Sequence, residues 1–89
     1  MELDDDVVED LVRRLRRVEG QVRGIQGMLV ERRECRDVVT QLSAATRALE
    51  QVGFRLLASG LSQCLENPDA ARRSGDSVEE FERLFLKLT

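Results

Sequence analysis

Apolar residues recur from Val8 to Leu29 at alternating steps of three and four: Val8, Leu11, Leu15, Val18, Val22, Ile25 and Leu29. This is one face of a single helix carried through as an unbroken heptad seam. The next positions in phase are Arg32 and Arg36, so the seam stops and a connection falls near 31–35. A second seam then runs Cys35, Val38, Leu42, Ala45, Leu49, Val52 and Leu56, with Phe54, Leu57, Leu61 and Cys64 on a neighbouring stripe. Asn67-Pro68 ends it, because the residue before a proline is pushed out of the helical region. A third apolar face, Val78, Phe81, Leu84, Phe85 and Leu88, follows Ser77, which with Glu80 three residues on has the pattern of a capping box. The pattern predicts helix 1 over about 5–30, helix 2 over about 36–66 and helix 3 over about 77–88, with a mobile polar stretch over 69–76. Asp4-Asp5-Asp6 is expected to cap helix 1 and to oppose the positive end of its dipole.

The fold class is therefore all-α, in one small domain over 1–89. Helices this long cannot all fold back on one another in so short a chain, so their seams call for a second copy. The cysteines sharpen that expectation. Cys35 and Cys64 lie 29 positions apart on helix 2, roughly 43 Å at the rise of an α-helix, whereas a disulfide needs Cα atoms within about 7 Å. They can meet between two antiparallel copies if the two-fold axis passes near Leu49 and Glu50. The apolar row has nearly the same centre, since Leu42 and Leu56 are symmetric about Leu49 and Ala45 and Val52 nearly so.

Charge changes the picture more than composition does. The net charge of −3 conceals six acids and no base in residues 1–10, followed by eight arginines against Glu19, Glu31 and Glu34 in residues 11–36. Arg13, Arg14, Arg16 and Arg17 present planar guanidinium groups suited to phosphate oxygens, or else a solvated helix face. Gly20, Gly24 and Gly27 share that outer face, and each costs about 1 kcal/mol against alanine inside a helix. Something is expected to approach the backbone there, another helix or a nucleic-acid backbone. The near absence of aromatic residues argues against a single-strand binder that stacks bases.

With no histidine base, no phosphate-binding glycine loop and no recognisable carboxylate pair in a folded pocket, the chain offers no constellation for an enzyme. It also excludes a Zn or Ni site built on imidazole, and it calls for no cofactor and no resident metal. No apolar run suffices for a membrane span and the acidic N-terminus is unlike a signal peptide, so a soluble cytoplasmic protein is expected. In that compartment two cysteines read as reactive or metal-binding rather than as a staple. Cys35 sits among Arg32, Arg33 and Arg36 near a helix N-terminus, surroundings that favour a thiolate.

Arg14-Leu15-Arg16-Arg17-Val18-Glu19-Gly20-Gln21-Val22-Arg23-Gly24-Ile25, followed by Cys35-Arg36-Asp37-Val38 and the Leu61–Cys64 stretch, resembles the CsoR/RcnR family of bacterial transcriptional repressors. The resemblance implies a three-helix protomer, an antiparallel dimer with a four-helix-bundle core, a dimer of dimers, and double-stranded operator DNA bound through basic residues of helices 1 and 2. It places the helix-1 DNA contact on Arg14, whereas the helix-2 basic position falls on Gln51. Copper-sensing members complete a Cys-His-Cys site with a histidine four residues before the second cysteine, where this chain has Gly60, and their tyrosine before the first cysteine is Glu34 here. Their helix-3 glutamate survives as Glu80. Two cysteines without the histidine are most similar to the persulfide-sensing CstR branch. The expectation is thus a repressor whose Cys35–Cys64 pair, formed between copies, is a thiol switch that reacts with persulfide or polysulfide and releases the operator. The alternatives are a Cu(I) sensor using two thiolates and a helical scaffold with inert cysteines.

Overall fold

The computed structural model describes residues 3–89. Four helices follow one another: α1 (Asp5–Val30), α2 (Cys35–Glu66), α3 (Pro68–Arg73) and α4 (Val78–Leu88). A short connection forces α1 and α2 into an antiparallel hairpin, and side chains that meet along its whole length keep that register. Gln63 Nε2 donates to Asp4 Oδ1 at 3.2 Å, Arg55 approaches Asp10, and Ile25 clusters with Val38 and Ala45. Helix α2 is the shared element, because α1, α3 and α4 all pack on it and not on one another.

The two seams divide their labour. Leu11, Val18 and Ile25 of α1 and Val38, Ala45 and Val52 of α2, each set at intervals of seven, are buried in the hairpin. The alternate row is left uncovered: Val8, Leu15, Val22 and Leu29 on α1 are 38–60% exposed, as are Leu42 and Leu49 on α2. The overall shape explains why. The molecule measures 54 × 25 × 14 Å, a plate little thicker than one helix. Its radius of gyration is 16.8 Å, against about 12 Å for a compact chain of this length.

Helix α4 closes one face of α2. Phe81 is the most buried residue of the core at 2% exposure, and the Phe54 and Phe85 rings stack with centroids 6.0 Å apart. Gly53 makes room for the end of this helix, since a Cβ built there would lie 2.8 Å from Leu88 Cδ1.

Four local expectations need correction. Asp4 is the N-cap of α1 but its side chain makes no cap hydrogen bond; the carboxylate instead accepts from Gln63 across the hairpin. The stretch over 69–76 is not irregular, because Pro68 at the first turn starts the six-residue α3 and buries Ala71 against α2. The protomer therefore has four helices rather than three. At α4 only half of the capping box forms: Ser77 Oγ accepts from the Glu80 N–H at 3.1 Å, while the Glu80 carboxylate turns forward to Arg83 at 2.7 Å.

The connection after α1 ends in a Schellman motif. Arg33 N–H donates to Met28 O and Arg32 N–H to Leu29 O, with Arg32 held at φ 57°. Among the described residues, no helix is long and apolar enough to cross a membrane.

Candidate functional site

The arginine cluster of α1 lies toward the middle of that helix, beyond its acidic first turns. Arg13, Arg16 and Arg17 are exposed, whereas Arg14 is half-buried. Arg14 differs because it is tethered: its Nε donates to Asp10 Oδ2 at 2.9 Å, one turn earlier on the same helix. Arg55 of α2 brings Nη1 to 3.9 Å from the same oxygen. The Arg14 hydrogen bond lowers the Asp10 pKa; burial opposes it, and the charges of Arg14, Arg55 and Arg13 add to the lowering. The sequence pattern did not single out Asp10 or Arg55, because only the hairpin register brings residue 10 opposite residue 55.

The glycine face is open within one chain. A Cβ added at Gly20, Gly24 or Gly27 meets nothing within 4 Å. Whatever approaches this backbone comes from outside the protomer.

Both cysteines are free. Cys35 is the first residue of α2 and exposed, so its thiol stands at one end of the plate beside the Schellman turn. Cys64 is half-buried in the last turns of α2 and lines a cleft with Gly60, Asn67, Ala71, Arg73 and Asp76. The helix is continuous between them, so one protomer does not bring its two thiols together. Nor does any group of three or more Cys, Asp or Glu residues within the chain lie close enough to hold a metal ion, among the described residues. Gly60, one turn before Cys64, is buried in α2. Glu80 is engaged with Ser77 through its backbone and with Arg83 through its carboxylate.

Residues 8–87 match the profile of metal-sensitive transcriptional repressors. The copper-sensing transcriptional repressor RicR of Mycobacterium tuberculosis is 53% identical over 57 residues, which is 64% of this chain and 59% of that protein. The chain thus spans less than two thirds of that relative. The copper-sensing transcriptional repressor CsoR of Bacillus subtilis is 37% identical over 84 residues, 91% of this chain and 80% of the relative. The crystal structure of the copper-sensing repressor CsoR with Cu(I) from Geobacillus thermodenitrificans superposes with a TM-score of 0.73 at 36% identity, covering 94% of this chain and 84% of that one. These relatives are named for copper, whereas the missing histidine had pointed to the persulfide-sensing branch. The helix-1 signature, the all-α fold and the span of the profile agree on the coarser assignment: the chain belongs to the family of metal-sensitive transcriptional repressors, which are regulators and not enzymes.

Proposed function

We propose that this chain is an operator-binding repressor whose effector site is a pair of thiols shared between two copies. Two protomers associate antiparallel through the uncovered rows of α1 and α2, forming a four-helix core, and dimers pair into a tetramer. Arg13, Arg14, Arg16 and Arg17 of α1 lie against double-stranded DNA.

The observation that supports this most is the register of α2. Leu42 and Leu49 lie exposed on a continuous helix, and Cys35 and Cys64 are symmetric about a point between Leu49 and Glu50. A two-fold axis there covers the apolar row with its own copy and sets Cys35 of each chain beside Cys64 of the other.

The names of the relatives support Cu(I) as the effector. The donors suit it in kind, since thiolates are soft ligands that select Cu(I). In number they suit a two-coordinate site, because Gly60 supplies no side chain and the chain has no histidine. Cys35 of one copy and Cys64 of the other would hold the ion, which when bound supplies a link between the two chains. The protein's own part is to fix the two thiols at opposite helix ends and to couple their approach to the arginines of α1.

A second reading, favoured by the same glycine, is a sensor of reactive sulfur. One thiolate takes the sulfane sulfur from a persulfide RSSH, giving Cys–S–SH and RS⁻. The partner thiolate then attacks the inner sulfur, forming an interchain disulfide and releasing HS⁻. Two thiolates are oxidised and the sulfane sulfur is reduced, so no further oxidant is needed.

Anisotropy of a labelled duplex from the DNA upstream of the gene tests both readings. The effector-free protein is expected to bind it. Under the copper reading, anaerobic Cu(I) releases the duplex at one ion per thiol pair while Zn and Ni do not. Under the sulfur reading, polysulfide releases it, reductant restores binding, and mass spectrometry finds Cys35 linked to Cys64 of another chain. If the effector-free protein bound neither this duplex nor any other, the repressor reading would be lost and the scaffold alternative would stand.

A further inference from the structure

Asp10 Oδ2 lies between two guanidinium groups that come from different helices, Arg14 Nε at 2.9 Å and Arg55 Nη1 at 3.9 Å. All three side chains reach solvent, at 30%, 37% and 57% exposure for Arg14, Asp10 and Arg55. Ion pairs this open contribute little to fold stability, so stability alone gives the arrangement small reason to exist. Its chemistry is that of an anion site already holding an anion. A carboxylate oxygen and a phosphate oxygen are equivalent acceptors for a guanidinium, and the cluster keeps a net positive charge with Asp10 in place. Arg14 uses its Nε–H on Asp10, while the guanidinium carries five N–H groups in all.

The helix-2 side of the cluster fills a gap in the DNA face. The basic position expected on helix 2 is Gln51. Arg55 stands one turn further along, on the same face of α2, and there it approaches Asp10 of α1, one turn before Arg14.

We propose that Arg55 is the second-helix DNA contact of this repressor, and that Asp10 is an internal counter-ion which holds Arg14 and Arg55 side by side until a DNA phosphate displaces it. The inference rests on the operator-binding reading above. It assigns DNA recognition to a residue outside the α1 cluster and gives the acidic start of the chain a role in tempering non-specific binding.

The test measures duplex affinity against salt for the full-length protein, using the upstream duplex and a scrambled one. Arg55→Gln removes one charge-assisted hydrogen bond to phosphate, so it is expected to weaken binding to both by on the order of tenfold. The slope of log affinity against log salt is expected to become shallower by about one, since one phosphate is no longer neutralised. Arg55→Lys keeps the charge and is expected to retain the parent's salt slope. Asp10→Asn keeps an acceptor for Arg14 but removes the competing charge, so it is expected to bind both duplexes several-fold more tightly. Arg83→Gln, an exposed arginine of α4 paired with Glu80, serves as the control with parent affinity. Circular dichroism and light scattering establish that each variant keeps its helicity and assembly. Arg55→Gln with parent affinity and slope, beside a weakened Arg14→Ala, would overturn the role of Arg55 and leave the repressor reading intact. Weaker binding by Asp10→Asn would overturn the counter-ion role. Failure of the parent to bind any duplex would instead remove the repressor reading itself.

Discussion

Gly53 lies directly beneath Leu88, so that a Cβ at 53 would come within 2.8 Å of Leu88 Cδ1 and 2.9 Å of Cδ2. The neighbour is the tip of a flexible side chain in the last turn of α4, so it can shift at small cost. Alanine in place of a helical glycine gains about 1 kcal/mol of helix propensity. The two effects oppose each other, and Gly53→Ala is expected within about 1 kcal/mol of the parent by thermal unfolding. On a Leu88→Ala background the clash is gone, and the same substitution should stabilise by up to about 1 kcal/mol. Equal effects on the two backgrounds would mean that Leu88 does not rest on Gly53.

The turn after α1 carries a cost that the turn after α3 avoids. Both are Schellman motifs, with a left-handed residue at the same position: Arg32 at φ 57° in the first and Gly75 at φ 78° in the second. Side chains crowd the backbone in that region and glycine does not. Arg32→Gly is expected to raise stability by roughly 0.5–1 kcal/mol, and Gly75→Ala to lower it by a similar amount. Chemical denaturation of both variants provides the comparison, and a destabilised Arg32→Gly would show that the arginine side chain makes an interaction worth more than the backbone strain.

These two turns also show where the sequence was legible and where it was not. The seams of α1 and α2 could be read because seven apolar positions repeat without interruption in each. The same repeat cannot say which alternate row packs inside the hairpin. Leu11, Val18 and Ile25 turn inward and Leu15, Val22 and Leu29 do not, a choice made by the hairpin register. Helix α3 is only six residues long, too short for periodicity, although Pro68 at its start and Gly75 just beyond its end were its signals. The end of α1 had no such signal, because its left-handed position is an arginine. The positions of the candidate thiols at the two ends of one helix followed from spacing alone. The approach of Arg55 to Asp10 did not, since it depends on how α1 and α2 are aligned.

A protein that leaves Leu15, Val22, Leu29, Leu42 and Leu49 uncovered on a plate one helix thick should not persist as a monomer. Full burial of a leucine or valine contributes roughly 1.5–3 kcal/mol, and four leucines and a valine, each about half covered in the protomer, recur on each copy. Light scattering at micromolar concentration is expected to give at least a dimer. Leu49→Lys, at the centre of the proposed two-fold axis, places two like charges against each other and should shift the population to monomer with a lower melting temperature. A parent that scatters as a monomer would remove the shared thiol site along with the dimer.

Acid titration gives an independent view of the Asp10 cluster. The hydrogen bond from Arg14 is the main reason that the carboxyl lies below its ordinary value, with nearby arginine charges adding to it. A folded-state pKa below the unfolded one contributes stability that is present above the ordinary carboxylate range and is lost as the pH falls through the depressed value. The Asp10 side-chain carboxyl signal is therefore expected to titrate below the usual aspartate range in the parent and to move back up in Arg14→Gln. Titration at or above the ordinary value in the parent would mean that Arg14 does not hold this carboxylate in solution.

The cysteines yield the prediction that separates an interchain pair from two independent thiols. Helix α2 runs without interruption from Cys35 to Glu66, so its rise holds Cys35 and Cys64 of one chain roughly 43 Å apart. Any link between them must therefore join two chains, and polysulfide treatment is expected to produce a covalent dimer on non-reducing gels. Cys35→Ala and Cys64→Ala should each abolish the Cys35–Cys64 product, because each variant lacks one member at both ends of the dimer. Mixing the two single variants and allowing subunits to exchange should restore it. In the heterodimer the one remaining Cys35 again faces the one remaining Cys64, giving a single link where the parent forms two. Peptide mapping after digestion identifies the product. A Cys35–Cys64 linkage within one chain would require α2 to break in the middle, and would refute both the continuous helix and the antiparallel pairing built on it.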